Sequence, residues 1–579
     1  MTRSYQISMN LKQVLDQQIS QVLSDISGEP SCKALVNQSK SVQFGDYQAN
    51  GVMALAKRLK LNPKQLAEQV NNKLDLSDFA ERIEVAGPGF INISISDKFL
   101  TQQLNLLNRN QLVRKSENTQ TVIIDYSSPN LAKEMHVGHL RGTIIGDAIA
   151  RTFEWMGHHL IRQNHFGDWG TQFGMLITYM LEQEGDVKSE LSNLETFYRA
   201  AKTRFDNDPD FASRSRENVV KLQSGDEQCL QLWKSFIDIS IQHCHELYRK
   251  LNITLTEKDV VPESFYNNKL AGVIETLDKN GLLTDSDGAR CVFLDEFKNK
   301  EGDVLPTIVQ KSDGGYLYAT TDLAGIEHRC RTLKADRILY VVDARQGLHF
   351  QQVFSVAKLA GLADEHCSLE HLSYGTMMGK DGKPFKTRSG DTIKLIDLIE
   401  EGIQRAYTLV ESKNPNLSDT EKQQIANVVG VSAIKYADLS KNRNSDYIFD
   451  WDSMLSFEGN TAPYLLYAYA RIRSIFRRAQ LDSDAKYQID IKSPEEKVLA
   501  LKLLQFTEVV EALLIDCYPN QLCLYLYELA GNFMNFYEAC PVLKSEGELL
   551  QSRLGLCQLT ALTLKQGLSL LGIETLDKM

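Results

Sequence analysis

Three features of the 579-residue sequence predict a central α/β domain, preceded by a smaller α/β domain and followed by an all-α bundle. Residues from about 120 to 390 alternate apolar strand patterns with helix patterns, which is typical of a doubly wound parallel sheet of the Rossmann-like type. Nearer the N-terminus, two strand-like runs flank the Gly-Pro-Gly turn at residues 87–89. After about residue 391 the apolar residues keep helical spacing, which predicts the helical bundle.

The N-terminal α/β domain is predicted from two helix patterns and one hairpin. The apolar residues of Leu11–Val22 recur at helical spacing, and a second helix pattern covers Gln48–Leu61, just before an Asn-Pro pair. The runs Ile83–Val85 and Phe90–Ile95 lie on either side of the Gly-Pro-Gly turn as strand, turn and strand. No residue here is catalytic by type, so this domain either binds a partner or is a structural appendage.

Composition and charge narrow the possible functions. With 43% hydrophobic and 24% charged residues the chain has ordinary globular values, and no segment reaches the roughly 20 apolar residues of a membrane span. The N-terminus has no apolar signal core, so we expect a cytoplasmic protein with no membrane partner. Ten cysteines without a C-x-x-C pair indicate buried thiols, and no metal site is predicted. The net charge of −11 disfavours sequence-blind nucleic-acid binding but does not exclude one specific RNA.

The stretch that begins with the strand Val122–Ile124 has the pattern of a nucleotide site. The turn Ser127–Asn130 follows the strand, and His136 and His139 open an apolar helix pattern. A helix N-terminus stabilises phosphates through its unpaired N–H groups, and histidine can donate without permanent charge. Gly138 leaves room for a flat ring to approach the backbone. Alone, the His-x-Gly-His pattern also fits histidines that cap a helix or lie in a core.

Two segments of this stretch resemble a known family. Ser128–Arg141, with the sequence SPNLAKEMHVGHLR, and Asn164–Gly174, with the sequence NHFGDWGTQFG, are similar to class I aminoacyl-tRNA synthetases and specifically to arginyl-tRNA synthetases. The resemblance spans essentially the whole chain. It implies that L-arginine and ATP form arginyl-adenylate and pyrophosphate with the help of Mg²⁺, and that arginine is then transferred to the 3′-terminal adenosine of tRNA(Arg).

A carboxylate and an aromatic side chain in the second half of the predicted sheet fit a guanidinium. Such a group favours a carboxylate that accepts its planar fork beside a polar aromatic wall, and Asp322 and Tyr318 supply both. On its residues alone, Asp322 is equally a helix N-terminal residue. The resemblance assigns the arginine contacts to Ser128, Pro129, Asn130, His139, Tyr318, Asp322 and Gln346.

The segment Gly375–Gly390 departs from the pattern of its class. Class I synthetases usually have Lys-Met-Ser-Lys here to hold the triphosphate, whereas this chain has Phe385-Lys386-Thr387-Arg388. The resemblance implies that a lysine ahead of the histidines compensates, and Lys133 is that lysine. The alternative is a basic, solvated hairpin. We expect catalytic roles for His136, His139, Lys133 and Lys386, and ATP contacts from His136, Gly138, His139, Met378, Lys383, Lys386 and Arg388.

The helix pattern from Tyr464 to Gln480 has an apolar and a basic face. The apolar stripe consists of Leu465, Tyr469, Ile472, Phe476 and Ala479. A charge run on a helix is usually a solvated face. Residues 456–472 resemble the start of the family's anticodon-binding domain, however, which implies tRNA contacts by Arg471, Arg473 and Arg477.

The patterns and the family resemblance together divide the chain into four parts. The resemblance implies a tRNA-contacting domain at 1–115, a catalytic domain at 116–390 with a helical insertion at about 181–261, a helical connector at 391–450 and an anticodon-binding domain at 451–579. The insertion is assigned no chemistry, and a monomer is expected. A nucleotidylyltransferase would not need the long helical C-terminal part, and a catalytically silent tRNA-binding relative would lack the pocket residues. Another class I synthetase would differ at Asp322.

Overall fold

The structure is a computed structural model that describes residues 10–107, 112–113, 115–131, 133–183, 194–385, 393–483 and 485–579. Within these ranges no helix has the length and apolarity needed to cross a membrane. All ten cysteines are free and buried, which confirms the predicted buried thiols.

The N-terminal part is an α/β domain, as predicted. Its helices are α1 (Leu11–Ser27), α2 (Gly51–Leu59), α3 (Pro63–Lys73) and α4 (Asp97–Leu106), and its strands are β1 (Val36–Gln38), β2 (Tyr47–Ala49), β3 (Ala80–Ala86) and β4 (Phe90–Ile95). The strands form an antiparallel sheet in the order β1-β2-β4-β3, in which β3 and β4 are the predicted hairpin. Helix α1 starts after Asn10, whose side chain accepts the Gln13 N–H, and it ends at Gly28, which has a φ of 70°.

The next part contains a parallel and an antiparallel sheet. Its strands are β5 (Thr121–Asp125), β6 (His159–Gln163), β7 (Thr284–Ser286), β8 (Ala289–Lys298), β9 (Val304–Gln310), β10 (Arg337–Tyr340) and β11 (Ser368–His371). The parallel sheet has the order β11-β10-β5-β6, which confirms the predicted doubly wound fold. The chain leaves β5 in one direction and returns at β10 on its other side, so the crevice for ligands lies at the carboxyl ends of β5 and β10.

The antiparallel sheet β7-β8-β9 was not predicted. Charged residues dominate the second half of β8, which conceals a strand pattern in the sequence. Burial alternates along β9, but the buried Thr307 is polar and the exposed Ile308 is apolar, so the sequence of this strand does not show the alternation.

The helices of this part connect the strands and form the predicted insertion. They are α5 (Leu140–Trp155), α6 (Thr171–Leu181), α7 (Leu194–Asn207), α8 (Pro209–Gln223), α9 (Glu227–Lys250), α10 (Leu270–Lys279), α11 (Tyr318–Glu327) and α12 (Gly347–Leu359). Helices α7, α8 and α9 lie within the predicted insertion. Helix α5 approaches the end of β5 so closely that a Cβ at Gly146 would lie 2.4 Å from the Tyr126 side chain, which explains the glycine.

The remaining part is mostly helical, as predicted. It contains the short strands β12 (Met377–Met378) and β13 (Tyr447–Ile448) and the helices α13 (Leu395–Lys413), α14 (Asp419–Leu439), α15 (Trp451–Met454), α16 (Ala462–Ala479), α17 (Pro494–Leu504), α18 (Phe506–Asp516), α19 (Pro519–Ala539) and α20 (Gly547–Leu570). Strands β12 and β13 pair in parallel, and β13 was not predicted. Helix α16 buries most of the predicted apolar stripe, with Leu465 and Ile472 fully covered.

The chain forms two compact units. One combines the N-terminal part up to Lys115 with residues 457–569 and 574–579, and the other consists of residues 116–456 and 570–573. In the first unit the N-terminal domain packs against the helical bundle at Glu508 of α18. This buried carboxylate accepts hydrogen bonds from the Tyr47 hydroxyl, the Gln38 side-chain amide and the Lys12 N–H, at 2.5, 2.9 and 3.2 Å.

Candidate active site

The turn after β5 has a strained backbone that neighbouring side chains hold in place. Ser127 and Ser128 have φ angles of 70° and 42°, in the left-handed region. The Ser128 N–H donates to Oδ1 of Asn164 at 2.9 Å, and the Ser128 hydroxyl donates to Asp125 at 2.8 Å. The same hydroxyl accepts the His165 N–H at 2.9 Å. The predicted substrate residue Ser128 therefore joins the two family-like segments of the sequence.

A second set of contacts joins these segments one residue further on. Asn130 pairs with Gly167, where any Cβ would overlap the Asn130 side chain, and the Leu131 N–H donates to the Gly167 carbonyl at 3.1 Å. Pro129 is buried in this contact, whereas Asn130 and Lys133 are exposed. The two predicted polar side chains are thus accessible to a ligand.

An internal ion pair lies under the turn. Arg329, which follows α11, donates to Asp125 at 2.6 Å and to Gln163 at 2.5 Å, and its guanidinium lies over the Tyr340 ring. The side chains of Arg329 and Asp125 are 2% and 6% exposed. The carboxylate at the end of β5 is therefore neutralised by the protein itself.

The two histidines lie side by side at the start of α5. Their ring centroids are 4.0 Å apart, and a 3₁₀ turn, Val137–His139, separates His136 from the helix. Nδ1 of His136 accepts the Gly138 N–H at 3.0 Å, and Nδ1 of His139 accepts the His136 N–H at 3.1 Å. In each neutral ring the proton is therefore on Nε2.

Both the glycine and the charge state of His139 follow from this geometry. A Cβ at Gly138 would lie 2.7 Å from the His136 ring, so the neighbouring histidine itself requires a glycine here. Burial, together with the neighbouring His136, lowers the pKa of His139 to about 3. His139 is consequently a neutral donor at physiological pH.

The segment expected to hold the triphosphate begins as a hairpin. Strand β12, which contains Met378, continues into a turn in which the Gly379 N–H donates to the Lys383 carbonyl at 2.7 Å. The side chain of Lys383 is exposed. Lys386 and Arg388, which carry two of the predicted ATP contacts, lie outside the described residues.

The chain that follows this segment is bonded to the histidine turn. The Val137 N–H donates to the Ile393 carbonyl at 3.1 Å, and the Leu395 N–H donates to the Met135 carbonyl at 3.0 Å. Ile393 and Leu395, which follow the segment expected to bind triphosphate, therefore lie beside the histidine turn.

The predicted arginine contacts of the second half lie on α11 and before α12. Asp322 of α11 lies 2.6 Å from Nε2 of His349, which the sequence analysis left unassigned. Tyr318, at the start of α11, is 67% exposed, and Gln346 is exposed in the turn before α12. The pKa of Tyr318 is raised by desolvation and by the nearby Glu263 carboxylate.

Glu263 is the acid that sequence reasoning missed. Burial raises its pKa to about 8, with further contributions from Asp168 and Asp322. Its N–H donates to the Phe166 carbonyl at 3.0 Å, which places it against the turn that contains Asp168. No lysine or arginine among the described residues pairs with Glu263. Asp168, Glu263 and Asp322, here called the acid pocket, thus combine three carboxyl groups that pair with no lysine or arginine among the described residues, while His349 contacts Asp322.

The predicted tRNA-binding arginines of α16 have partners within their own compact unit. Nε of Arg473 lies 3.3 Å from a carboxylate oxygen of Asp577, and Arg477 donates to the Asp577 carbonyl at 2.7 Å. The Arg471 guanidinium lies 5.3 Å from the centroid of the Tyr537 ring. Arg473 and Arg477 therefore hold the C-terminal segment, which is a structural role beside the predicted one.

The N-terminal domain has a cavity of about 640 Å³. Its lining is amide-rich and aromatic, with one lysine: Asn37, Gln38, Lys40, Phe44, Gln48, Asn50, Ala86, Gly87 and Phe90.

Comparison with known proteins gives first the class and then the family. Residues 101–451, which contain the parallel sheet, both histidines and the acid pocket, match the family model described as tRNA synthetases class I (R), catalytic domain. This part of the chain is therefore a class I aminoacyl-tRNA synthetase catalytic domain. Residues 13–95 match the arginyl tRNA synthetase N terminal domain, and residues 465–579 match the DALR anticodon binding domain.

Relatives and solved structures agree with this assignment. The arginine–tRNA ligases of Marinomonas sp. and Hahella chejuensis are 56% and 54% identical to the chain, and each match covers 99% of the chain and 100% of the relative. The crystal structure of arginyl-tRNA synthetase from Plasmodium falciparum is 32% identical with a TM-score of 0.85, covering 99% of this chain and 100% of that one. The chain belongs to the arginyl-tRNA synthetase family.

Proposed function

We propose that this chain joins L-arginine to tRNA(Arg) in two steps. ATP first activates arginine as arginyl-adenylate with release of pyrophosphate, and the 3′-terminal adenosine of the tRNA then accepts the arginine. The observation that carries the proposal is the acid pocket next to the two paired turns, because its carboxyl groups suit a guanidinium substrate. The full-length relatives named arginine–tRNA ligase support the same activity.

In the acid pocket, Asp322 and Glu263 accept the N–H groups of the substrate guanidinium. His349 orients the Asp322 carboxylate from 2.6 Å, and the exposed Tyr318 ring forms the wall of the pocket. The remainder of the arginine is held by Ser128, Pro129, Asn130, His139 and Gln346.

The first step is an in-line displacement at the α-phosphate. A carboxylate oxygen of arginine forms the new P–O bond while the bond to pyrophosphate breaks, and no covalent enzyme intermediate is needed. Neutral His136 and His139 donate from Nε2 as negative charge moves onto the leaving group. Catalysis therefore consists of positioning and electrostatic stabilisation.

The triphosphate is met by cations and by the hairpin. Lys133, Lys386 and Arg388 supply positive charge in place of the missing Lys-Met-Ser-Lys, and Gly138, Met378 and Lys383 border the nucleotide. ATP enters as its Mg²⁺ complex, in which the metal neutralises part of the phosphate charge. Among the described residues no group of three or more acidic, histidine or cysteine side chains could hold a metal.

The test is ATP–pyrophosphate exchange with each of the amino acids, with and without tRNA. We expect exchange with arginine alone. Because the triphosphate segment lacks the usual lysines, we also expect exchange to need tRNA, whose binding energy would order the segment. Exchange with another amino acid would contradict the substrate, and robust exchange without RNA would contradict the tRNA requirement.

A variant of Lys133 tests the triphosphate assignment. Lys133→Ala should lower kcat for arginine activation by about a hundredfold or more, because an uncompensated phosphate charge remains in the transition state. Binding of tRNA should barely change. Lys300→Ala, which removes an equally exposed lysine in the turn between β8 and β9, is the matched control.

Two surfaces of the first compact unit are proposed to bind tRNA. The N-terminal cavity accepts a flat, polar base at the corner of the tRNA, because amides and aromatic rings line it. Arg471, Arg473 and Arg477 of α16 contact the anticodon stem and loop through phosphates.

The α16 surface can be tested against the structural role of its arginines. Arg473→Gln with Arg477→Gln should raise KM for tRNA and flatten its salt dependence, with arginine affinity unchanged. Asp577→Asn removes the carboxylate that Arg473 contacts, keeps the carbonyl that accepts from Arg477, and removes no positive charge. An equal change in both variants would assign Arg473 to the C-terminal segment alone.

The four-part division made from the sequence completes the proposal. Residues 1–115 contact the tRNA corner, 116–390 perform catalysis, 391–450 connect, and 451–579 read the anticodon. We further propose a cytoplasmic monomer, which sedimentation at increasing protein concentration would check.

A further inference from the structure

The helical insertion α7–α9 contacts both turns of the active site. The Ser240 hydroxyl donates to the Leu131 carbonyl, and the Trp233 indole donates to the Asp168 carbonyl at 2.8 Å. These contacts come from positions about two turns apart on α9. The insertion is therefore a support for the segments that bear the proposed substrate contacts.

The last contact of α9 reaches the strained turn itself. The Tyr248 hydroxyl is 2.7 Å from the Ser127 hydroxyl and accepts the Asn164 amide at 3.0 Å. Asn164 in turn accepts the Ser128 N–H. Tyr248 therefore stabilises the turn directly through Ser127 and indirectly through Asn164.

One contact from the insertion reaches a proposed ATP-binding residue. Nζ of Lys133 lies 4.5 Å from the centroid of the Tyr198 ring, which belongs to α7. Lys133 is exposed. A long exposed lysine samples many rotamers, and an ammonium over a tyrosine face is attracted by the ring quadrupole.

We infer that Tyr198 is a positioning residue that orients the Lys133 ammonium for the triphosphate during arginine activation. The inference rests on the proposed role of Lys133 and gives the insertion a part in the reaction. The ring face makes the contact, so the hydroxyl is not needed. A phenylalanine keeps the interaction, whereas a leucine of similar bulk removes it.

A double-mutant cycle tests this inference. The readout is single-turnover formation of arginyl-adenylate by the full chain with tRNA present and enzyme in excess, which also follows slow variants. Tyr198→Leu should lower the rate at subsaturating ATP by about threefold to tenfold, and Tyr198→Phe should restore most of it. In the Lys133→Ala background, Tyr198→Leu should have no further effect, because the cation that it orients is absent.

A second variant on α7 separates positioning from folding. Phe205 lies under the ammonium of Lys202 and the guanidinium of Arg216, which are not assigned to the active site. Phe205→Leu removes a comparable ring from the same helix and should leave the rate unchanged. The KM for arginine should stay constant in Tyr198→Leu, whereas a general collapse of the support would raise it.

The possible failures are distinct. An active Lys133→Ala enzyme overturns the proposed role of Lys133. A slow Lys133→Ala enzyme with a normal Tyr198→Leu enzyme overturns the inference alone. Equal losses from Tyr198→Leu with and without Lys133 also overturn it, since they would show a purely structural role for the ring.

Discussion

The carboxyl groups in the catalytic part of this protein differ in whether a lysine or arginine of the chain neutralises them. Asp125, at the end of β5, is paired with the buried Arg329. In the acid pocket, Glu263 is only partly buried, yet no described lysine or arginine neutralises it, and its pKa rises to about 8. The fold thus satisfies the carboxylate that supports the turn and leaves the pocket acids short of positive charge. That deficit is what a guanidinium substrate can fill.

The largest expected effect comes from breaking the internal pair. Arg329→Met should lower the free energy of unfolding by about 3–5 kcal/mol, because it leaves Asp125 buried without a cation. Denaturant unfolding of the full chain measures the loss. Adding Asp125→Asn removes the stranded charge and should recover part of it. If the single variant were as stable as the parent, the pair would not be structural.

The second largest effect is expected at Asp322, the acid of the pocket that contacts His349. Asp322→Asn should cost about 2–4 kcal/mol in kcat/KM for arginine, since a charged hydrogen bond is replaced by a neutral one. Steady-state exchange kinetics give the value, and the melting temperature should change little. Nearly unchanged kinetics would remove Asp322 from the pocket.

Glu263 should separate stability from function. Glu263→Gln relieves the burial of a carboxyl group, so the free energy of unfolding should stay equal or rise. In the same variant kcat/KM for arginine should fall by about 1–2 kcal/mol, because a charged acceptor is lost. Unfolding and exchange measured on one preparation test both halves. A destabilised but fully active variant would make Glu263 a structural residue.

The smallest effect is a dependence of arginine binding on pH. In the empty pocket Glu263 is largely protonated below its raised pKa of about 8, and a bound guanidinium favours the ionised form. Arginine binding should therefore release a proton near neutral pH, and affinity should rise by up to about tenfold per unit until the pH exceeds 8. Calorimetry in buffers of different ionisation enthalpy counts the proton. Glu263→Gln should abolish the release.

In the free enzyme, the effect of pH on stability has the opposite sign to its effect on arginine affinity. Because the folded state holds a proton on Glu263 that an unfolded glutamate loses near its ordinary pKa, unfolding becomes easier as the pH rises toward 8. The Glu263→Gln chain should lack this component.

The parallel sheet and the two turns of the active site could be predicted from the sequence. Apolar runs such as Val122–Ile124 predict buried strands, and turn residues after them mark the carboxyl ends where ligands bind. The antiparallel strands β7–β9 were not predicted, because charged residues on β8 conceal the alternation that identifies a half-buried strand.

Glu263 could not be found from the sequence. It belongs to no motif, and its importance arises only when its backbone bonds to Phe166, far away along the chain, and brings it near Asp168. Periodicity describes which face of an element is buried, but it does not say which distant carboxyl groups will share a pocket. The contact of Tyr198 with Lys133 could not be predicted for the same reason, since it joins residues that are distant in the sequence.

Glu508 limits how this protein can be recombined with its relatives. Three separate family models match the chain, so exchanging the N-terminal domain between relatives looks simple. The carboxylate of Glu508, however, lies in the bundle and receives its hydrogen bonds from Lys12, Gln38 and Tyr47. A chimera that changes Gln38 and Tyr47 would leave the buried acid with only the main-chain N–H of Lys12 among these three donors. Recombination therefore has to transfer the donors and the acceptor together.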